Sequence, residues 1–186
     1  MKRASIATAA VLMTAITPAL AEEPISEAEV LAAQKGWCEA LVEISATNAK
    51  SGPAAAKALA ESVIDSAYAY QMGPVLFKPT LTVNPQTFRT TRAGALSYFV
   101  GGDPAFPNDS GFALNDWTKC EIDNAAVFIA GDSASTMGKV HFTDKDGNVT
   151  TVDKTWQYVK DDAGQLRIVV HHSSSEYTPE PAVTGM

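Results

Sequence analysis

Val152-Asp-Lys-Thr-Trp-Gln-Tyr-Val-Lys160, then a polar turn over Asp161 to Gly164, then Leu166-Arg-Ile-Val-Val-His-His-Ser-Ser-Ser175, is the stretch that decides the fold. Both arms are rich in β-branched and aromatic residues, and a glycine-bearing turn divides them, which is the pattern of a β-hairpin. Side chains alternate across a strand, so His171 and Ser173 are expected on one face with Val169, and His172 and Ser174 on the other with Ile168 and Val170. One short strand thus carries a packing signal and a cluster of reactive side chains together.

Working back from this hairpin, the same period of two predicts strands at about Thr118 to Ile129 and Ser133 to Thr143, joined at Ala130-Gly131-Asp132. Asp144-Lys145-Asp146-Gly147 opens like a calcium loop, but the acidic residue needed at its end is replaced by Thr155, so a hairpin turn is expected instead. Upstream the period becomes helical. Ser26 and Glu29 form a capping box before Val30, Ala33, Trp37, Leu41 and Ile44, predicting a helix over about Glu27 to Ala49. Ser51-Gly52-Pro53 breaks it and starts a second helix, with Pro53 in its first turn. Gly73-Pro74 ends that helix, Val75 to Phe77 reads as a strand confined to an edge by Pro79, and a short helix is expected around Ala93 to Phe99. Helices first and hairpins last give an α+β fold, with a sheet curling over helices and able to enclose a pocket.

The first 21 residues read as a signal peptide: Met-Lys-Arg, an uncharged Ala-rich stretch, and Ala19-Leu20-Ala21 before Glu22. The expected organisation is a signal peptide at 1–21, one domain at 22–177, and a loose tail at 178–186 with two prolines. Without Lys2 and Arg3 the chain holds 12 basic against 21 acidic residues, which argues against nucleic acid or an anionic membrane surface as partner. Export would place Cys38 and Cys120 in an oxidising compartment. A bridge between them would close a loop of about 80 residues, worth roughly 4 kcal/mol on the chain-entropy model; two separate buried thiols are the alternative.

His141, His171 and His172 invite a three-histidine zinc reading. Adjacent strand residues point to opposite faces, so the favoured reading has one histidine lining a pocket and the other hydrogen-bonded in the sheet. No nucleophile elbow, phosphate-binding glycine loop or paired-cysteine motif is present in the sequence, which leaves hydroxyls as the chemistry. Thr80 follows Phe-Lys-Pro, Tyr98 sits on the short helix before a glycine-rich loop, and Ser173 lies two residues from His171.

Gly73-Pro-Val-Leu-Phe-Lys-Pro-Thr80, Gln86-Thr-Phe-Arg89, Gly94-Ala-Leu-Ser-Tyr-Phe-Val-Gly-Gly102, Thr155-Trp156 and His171-His-Ser-Ser174 together resemble the iota-class carbonic anhydrases. Those enzymes are similar to the association domain of calcium/calmodulin-dependent kinase II and to the wider NTF2-like group. The resemblance implies a cone-shaped NTF2-like barrel, a homodimer, and a site inside the cone that interconverts carbon dioxide and bicarbonate. It also implies a metal-free bicarbonate site of one threonine, one tyrosine and one serine, which fall here on Thr80, Tyr98 and Ser173. Other members are described as zinc or manganese enzymes, so a metal cofactor is the alternative. Phe77, Phe88 and Phe99 are then expected as a dry wall for the substrate. His171 is expected to relay the proton, since it shares a face with Ser173 and titrates near neutrality.

Overall fold

In the computed structural model, which describes residues 23–179, the chain begins with two antiparallel helices joined by a single tight corner. The signal-peptide expectation and most of the tail fall outside the described residues. Helix α1, Glu27–Ser51, starts at the expected capping box: the Ser26 hydroxyl accepts from the Glu29 N–H while the Glu29 carboxylate accepts from the Ser26 N–H at 2.7 Å. It ends at Gly52, whose φ of +83° suits glycine, and Pro53 opens α2, Pro53–Ala67. Strand β1, Leu76–Lys78, and helix α3, Arg92–Val100, follow; a 3-10 turn at Phe112–Leu114 leads into the sheet.

The remaining strands are β2, Trp117–Ala130, β3, Ser133–Asp144, β4, Val149–Lys160, and β5, Leu166–Ser175, within a residue or two of the spans expected from the alternation. The sheet order is β1-β5-β4-β3-β2. All neighbours are antiparallel except β1 and β5, which are parallel. The sheet is mainly antiparallel and curled, with helices packed in its hollow, and its two edges do not meet. Pro79 explains one edge, because a residue without N–H cannot extend β1 as a central strand.

The curl has a visible cause in β2, where the pairing with β3 slips between Asn124 and Ala126. Such a bulge bends and twists its strand. Gly138 lies opposite, where a Cβ would overlap the Asp123 carbonyl oxygen and come within 2.7 Å of the Asn124 Cα, so only glycine fits.

The bent sheet closes on α1. Gln34 donates to Asn124 at 3.0 Å and to Thr136 at 3.1 Å, and the Trp117 N–H donates to the Ser45 hydroxyl at 2.7 Å. Cys38 and Cys120 are joined as a disulfide with their Cα atoms 5.2 Å apart, tying α1 to β2. Burying Val30, Trp37, Leu41 and Ile44 against Phe142, Trp156 and Ile168 makes one core. At roughly 25 cal/mol per Å² of apolar surface this is the principal stabilising term.

A second bulge corrects one sequence expectation. Gln157 pairs with Val170 but Tyr158 pairs with Ile168, so Val169 is the extra residue in β5. Alternation shifts by one across it, and the inward face of β5 therefore carries Ile168, His171 and Ser173, not Val169.

Candidate active site

Strand β1 positions the site. Phe77 lies opposite His171 and Lys78 opposite His172, and the Lys78 ammonium donates to the Ser173 carbonyl at 3.1 Å. The chain then passes through buried Pro79 and delivers Thr80 to the end of β5. There the hydroxyls of Thr80 and Ser173 share a hydrogen bond of 2.6 Å.

Tyr98 reaches the same place from α3, a helix whose first turn is capped by the Thr91 hydroxyl accepting from the Gly94 N–H. Burial raises the Tyr98 phenol above its ordinary range, while hydrogen bonding from the Leu81 and Thr80 backbone acts in the opposite direction. The phenol therefore stays protonated and can donate. Thr80, Tyr98 and Ser173 line one tight cavity of about 10 Å³, roughly the room one water needs, with Trp37, Phe77, Pro79, Phe99, Phe112, Lys154 and His171.

Phe77 and Phe99 both line this cavity. Phe88 does not: it is 67% exposed and faces away from the cavity. The reason is its neighbour. The Arg89 N–H donates to the Phe77 carbonyl at 2.8 Å, and the Arg89 side chain turns inward to pair with Asp109 at 2.6 Å, both groups almost fully buried. With that position inward, the preceding side chain points out. Phe112, on the 3-10 turn after the glycine-rich loop, supplies the aromatic wall instead, stacked on Tyr98 with ring centroids 5.6 Å apart.

His171 requires a second correction. Its ring is buried, stacked on Phe77 at 4.4 Å and held edge-on by Trp37 at 5.5 Å. Nδ1 lies 2.8 Å from the Tyr68 hydroxyl, which itself accepts from the Trp37 indole N–H at 2.9 Å, and Nε2 lies 3.0 Å from the Lys154 amine. Burial, with Lys154 beside it, holds its pKa well below the ordinary histidine range. It remains a neutral ring near pH 7, engaged on both sides, instead of a base titrating at neutrality.

Lys154 is the group that the sequence reading missed. It is fully enclosed, with its nitrogen 4.9 Å from the Trp37 ring, 5.4 Å from Trp156 and 5.7 Å from Phe142. No carboxylate lines the cavity among the described residues. Burial pushes the amine down to about 7 from an ordinary 10.5. Between those two values the unfolded chain holds a proton on Lys154 that the native chain lacks, so this residue makes stability rise with pH across that window. The signal was present in β4: Val152, Lys154, Trp156 and Tyr158 are in phase, which puts a lysine on an apolar inward face.

The other histidines are elsewhere. His141 on β3 bonds the Thr151 hydroxyl at 2.8 Å, and His172 is exposed on the outer face of the sheet. Among the described residues no three His, Cys, Asp or Glu side chains converge as a metal-ligand set. A wider groove lies between α1, α2 and β5, lined by Glu29, Gly36, Val63, Tyr158 and Leu166. It gathers no comparable set of hydroxyls, and the smaller cavity is the chemically equipped one.

Comparison with known proteins points the same way. Residues 28–175 match the family model described as metal-independent carbonic anhydrase. A metal-independent carbonic anhydrase from Nostoc sp. strain PCC 7120 is 68% identical over 153 residues, covering 82% of this chain and 75% of that protein. The crystal structure of a cyanobacterial iota-carbonic anhydrase complexed with bicarbonate superposes with a TM-score of 0.84 at 64% identity, covering 90% of this chain and all of that one. A calcium/calmodulin-dependent kinase II association domain from Xanthomonas campestris is more distant, with a TM-score of 0.55 at 25% identity, covering 83% of this chain and 94% of that one.

Proposed function

Because this chain belongs to the metal-independent carbonic anhydrases, we propose that Thr80, Tyr98 and Ser173 are the groups that hold bicarbonate and the reacting water in it. The reaction is the reversible hydration of carbon dioxide to bicarbonate, and the family carries it out without a metal cofactor. The observation that supports the assignment is the 2.6 Å contact between Thr80 and Ser173 inside an aromatic chamber that Tyr98 also lines.

Three hydroxyls from three distant segments are held before substrate arrives, so little reorganisation is needed when charge develops on the carbon dioxide oxygens. Each can donate to an oxygen of the forming anion or accept from the attacking water. Phe77, Phe99 and Phe112 seat an apolar linear molecule and exclude bulk water, which strengthens those hydrogen bonds.

Stopped-flow hydration assays before and after exhaustive chelation test the metal-free site. The expected traces are indistinguishable. Loss of activity on chelation with recovery on adding zinc or manganese would overturn it.

Export and a homodimer belong to the same proposal. The basic start and Ala19-Leu20-Ala21 support export, and the Cys38–Cys120 bridge suits an oxidising compartment. Phe128 and Met137, 69% and 61% exposed, share the outer face of the sheet and support pairing there. Light scattering at twice the protomer mass, and recovery of a shortened chain outside the cytoplasm, check the two points; a monomer, or a full-length cytoplasmic chain, would contradict them.

A further inference from the structure

Hydration releases a proton, and none of the three hydroxyls can take it near neutral pH. Threonine and serine hydroxyls are not bases there, and burial moves the Tyr98 phenol further from ionising. Two basic side chains remain in the cavity wall, His171 and Lys154. His171 is engaged on both ring nitrogens and sealed among Phe77, Trp37 and Tyr68.

We propose that Lys154, as a neutral amine, is the base that takes the proton from the attacking water. This rests on the hydroxyl site described above. In the pairing of β4 with β5, Lys154 stands directly opposite Ser173, and both side chains face the cavity. Nε2 of His171, 3.0 Å away, fixes the position of the amine. The role requires the imidazole proton on Nδ1, toward Tyr68, so that Nε2 accepts an N–H from Lys154 whether the lysine is amine or ammonium; the other tautomer would occupy the amine lone pair with Nε2–H. His171 is thus a positioning residue that need not change its own charge.

The electrostatics favour this division of roles. An ammonium enclosed by Trp37, Phe142 and Trp156 gains from the ring faces, but only modestly. Removing its hydration costs more than those faces return, and no counter-ion offsets that loss before reaction. The other titratable groups around it are His171 on β5, Tyr68 beyond α2 and Tyr98 on α3, with Lys78 of β1 outside the cavity lining on the Ser173 carbonyl. None is a carboxylate.

The reaction itself supplies the missing anion. The water oxygen bonds to carbon, one C=O electron pair moves onto oxygen, and the water proton passes to Nζ. The products are bicarbonate and the Lys154 ammonium, formed together as a pair. The proton leaves Nζ for solvent or buffer once bicarbonate departs. Dehydration runs the same steps backward and begins from the ammonium.

The test compares wild type, Lys154→Met and Ser173→Ala in stopped-flow hydration and dehydration between pH 5.5 and 9.5. Wild-type kcat for hydration should rise with pH to a plateau, with a midpoint near the titration of a single group at about 7. Lys154→Met should lose about 100-fold or more in kcat and lose that inflection. It should also flatten the rise of Tm with pH above neutrality, a readout that needs no activity. Ser173→Ala should lose rate but keep the midpoint. A Lys154→Met enzyme within threefold of wild type, or one with the same inflection, would overturn the assignment while leaving the hydroxyl site standing. Wild-type rates in Ser173→Ala would instead overturn the hydroxyl site. Should Lys154→Met fail to fold, ¹³C titration of labelled lysines in the wild-type enzyme decides: one lysine titrating near neutrality is expected, and all titrating near their ordinary value would overturn the proposal.

Discussion

Ser173→Ala should lower kcat/KM for carbon dioxide hydration by about 100- to 1,000-fold, the usual cost of removing one preorganised donor to a developing oxyanion. The substitution also leaves the Thr80 hydroxyl without its 2.6 Å partner, so the remaining donor is poorly aimed. Thr80→Val should cost a similar factor, and the double variant distinctly less than the product of the two. Side chains in direct contact act as a unit and their effects do not add. Stopped-flow kinetics on the four proteins measures the coupling. Fully multiplicative losses would mean that Thr80 and Ser173 act separately and that their contact is incidental.

Replacing both Cys38 and Cys120 with serine should lower the unfolding free energy by about 4 kcal/mol and Tm by about 10 °C. The bridge closes a loop with a sequence separation of 82 that holds the second half of α1, α2, β1, α3 and the glycine-rich loop, so its absence frees that long segment in the unfolded state. It also holds α1 against β2 next to Trp37, whose ring forms part of the cavity wall. Thermal unfolding by circular dichroism, with and without reductant, reports the difference. An unchanged Tm would show that Gln34, Ser45 and the apolar face of α1 suffice to fix the helix.

The fold was legible where periodicity was strong. Ser26 with Glu29, Gly52-Pro53 and the four alternating strands each name an element, and each element starts near its expected place, but α2 ends at Ala67, short of the Gly73-Pro74 stop, because Tyr68 turns to bridge Ile168 of β5. The inward face of β5 was harder to read, because the bulge at Val169 depends on pairing with β4 and leaves no mark in the sequence of β5 alone. Thr80, Tyr98 and Ser173 were singled out by motif blocks; spacing along the chain says nothing of a meeting between Thr80 and Ser173, about 90 residues apart. Phe88 was misplaced because an aromatic side chain was assumed to face inward, whereas the buried Arg89–Asp109 pair decides the orientation there. Phe112 could not be anticipated, since a 3-10 turn has no apolar period to read. Lys154 could have been: the phase of β4 puts it on the inner face, and a buried lysine without an acid partner is a common mark of function.

A crystal of this chain soaked with bicarbonate measures the central claim most directly. The account predicts an anion enclosed by Phe77, Phe99 and Phe112, with oxygens about 2.6–3.2 Å from the hydroxyls of Thr80, Tyr98 and Ser173 and no anomalous scatterer beside it. Bicarbonate bound outside this cavity, or held there by a metal ion, would contradict it.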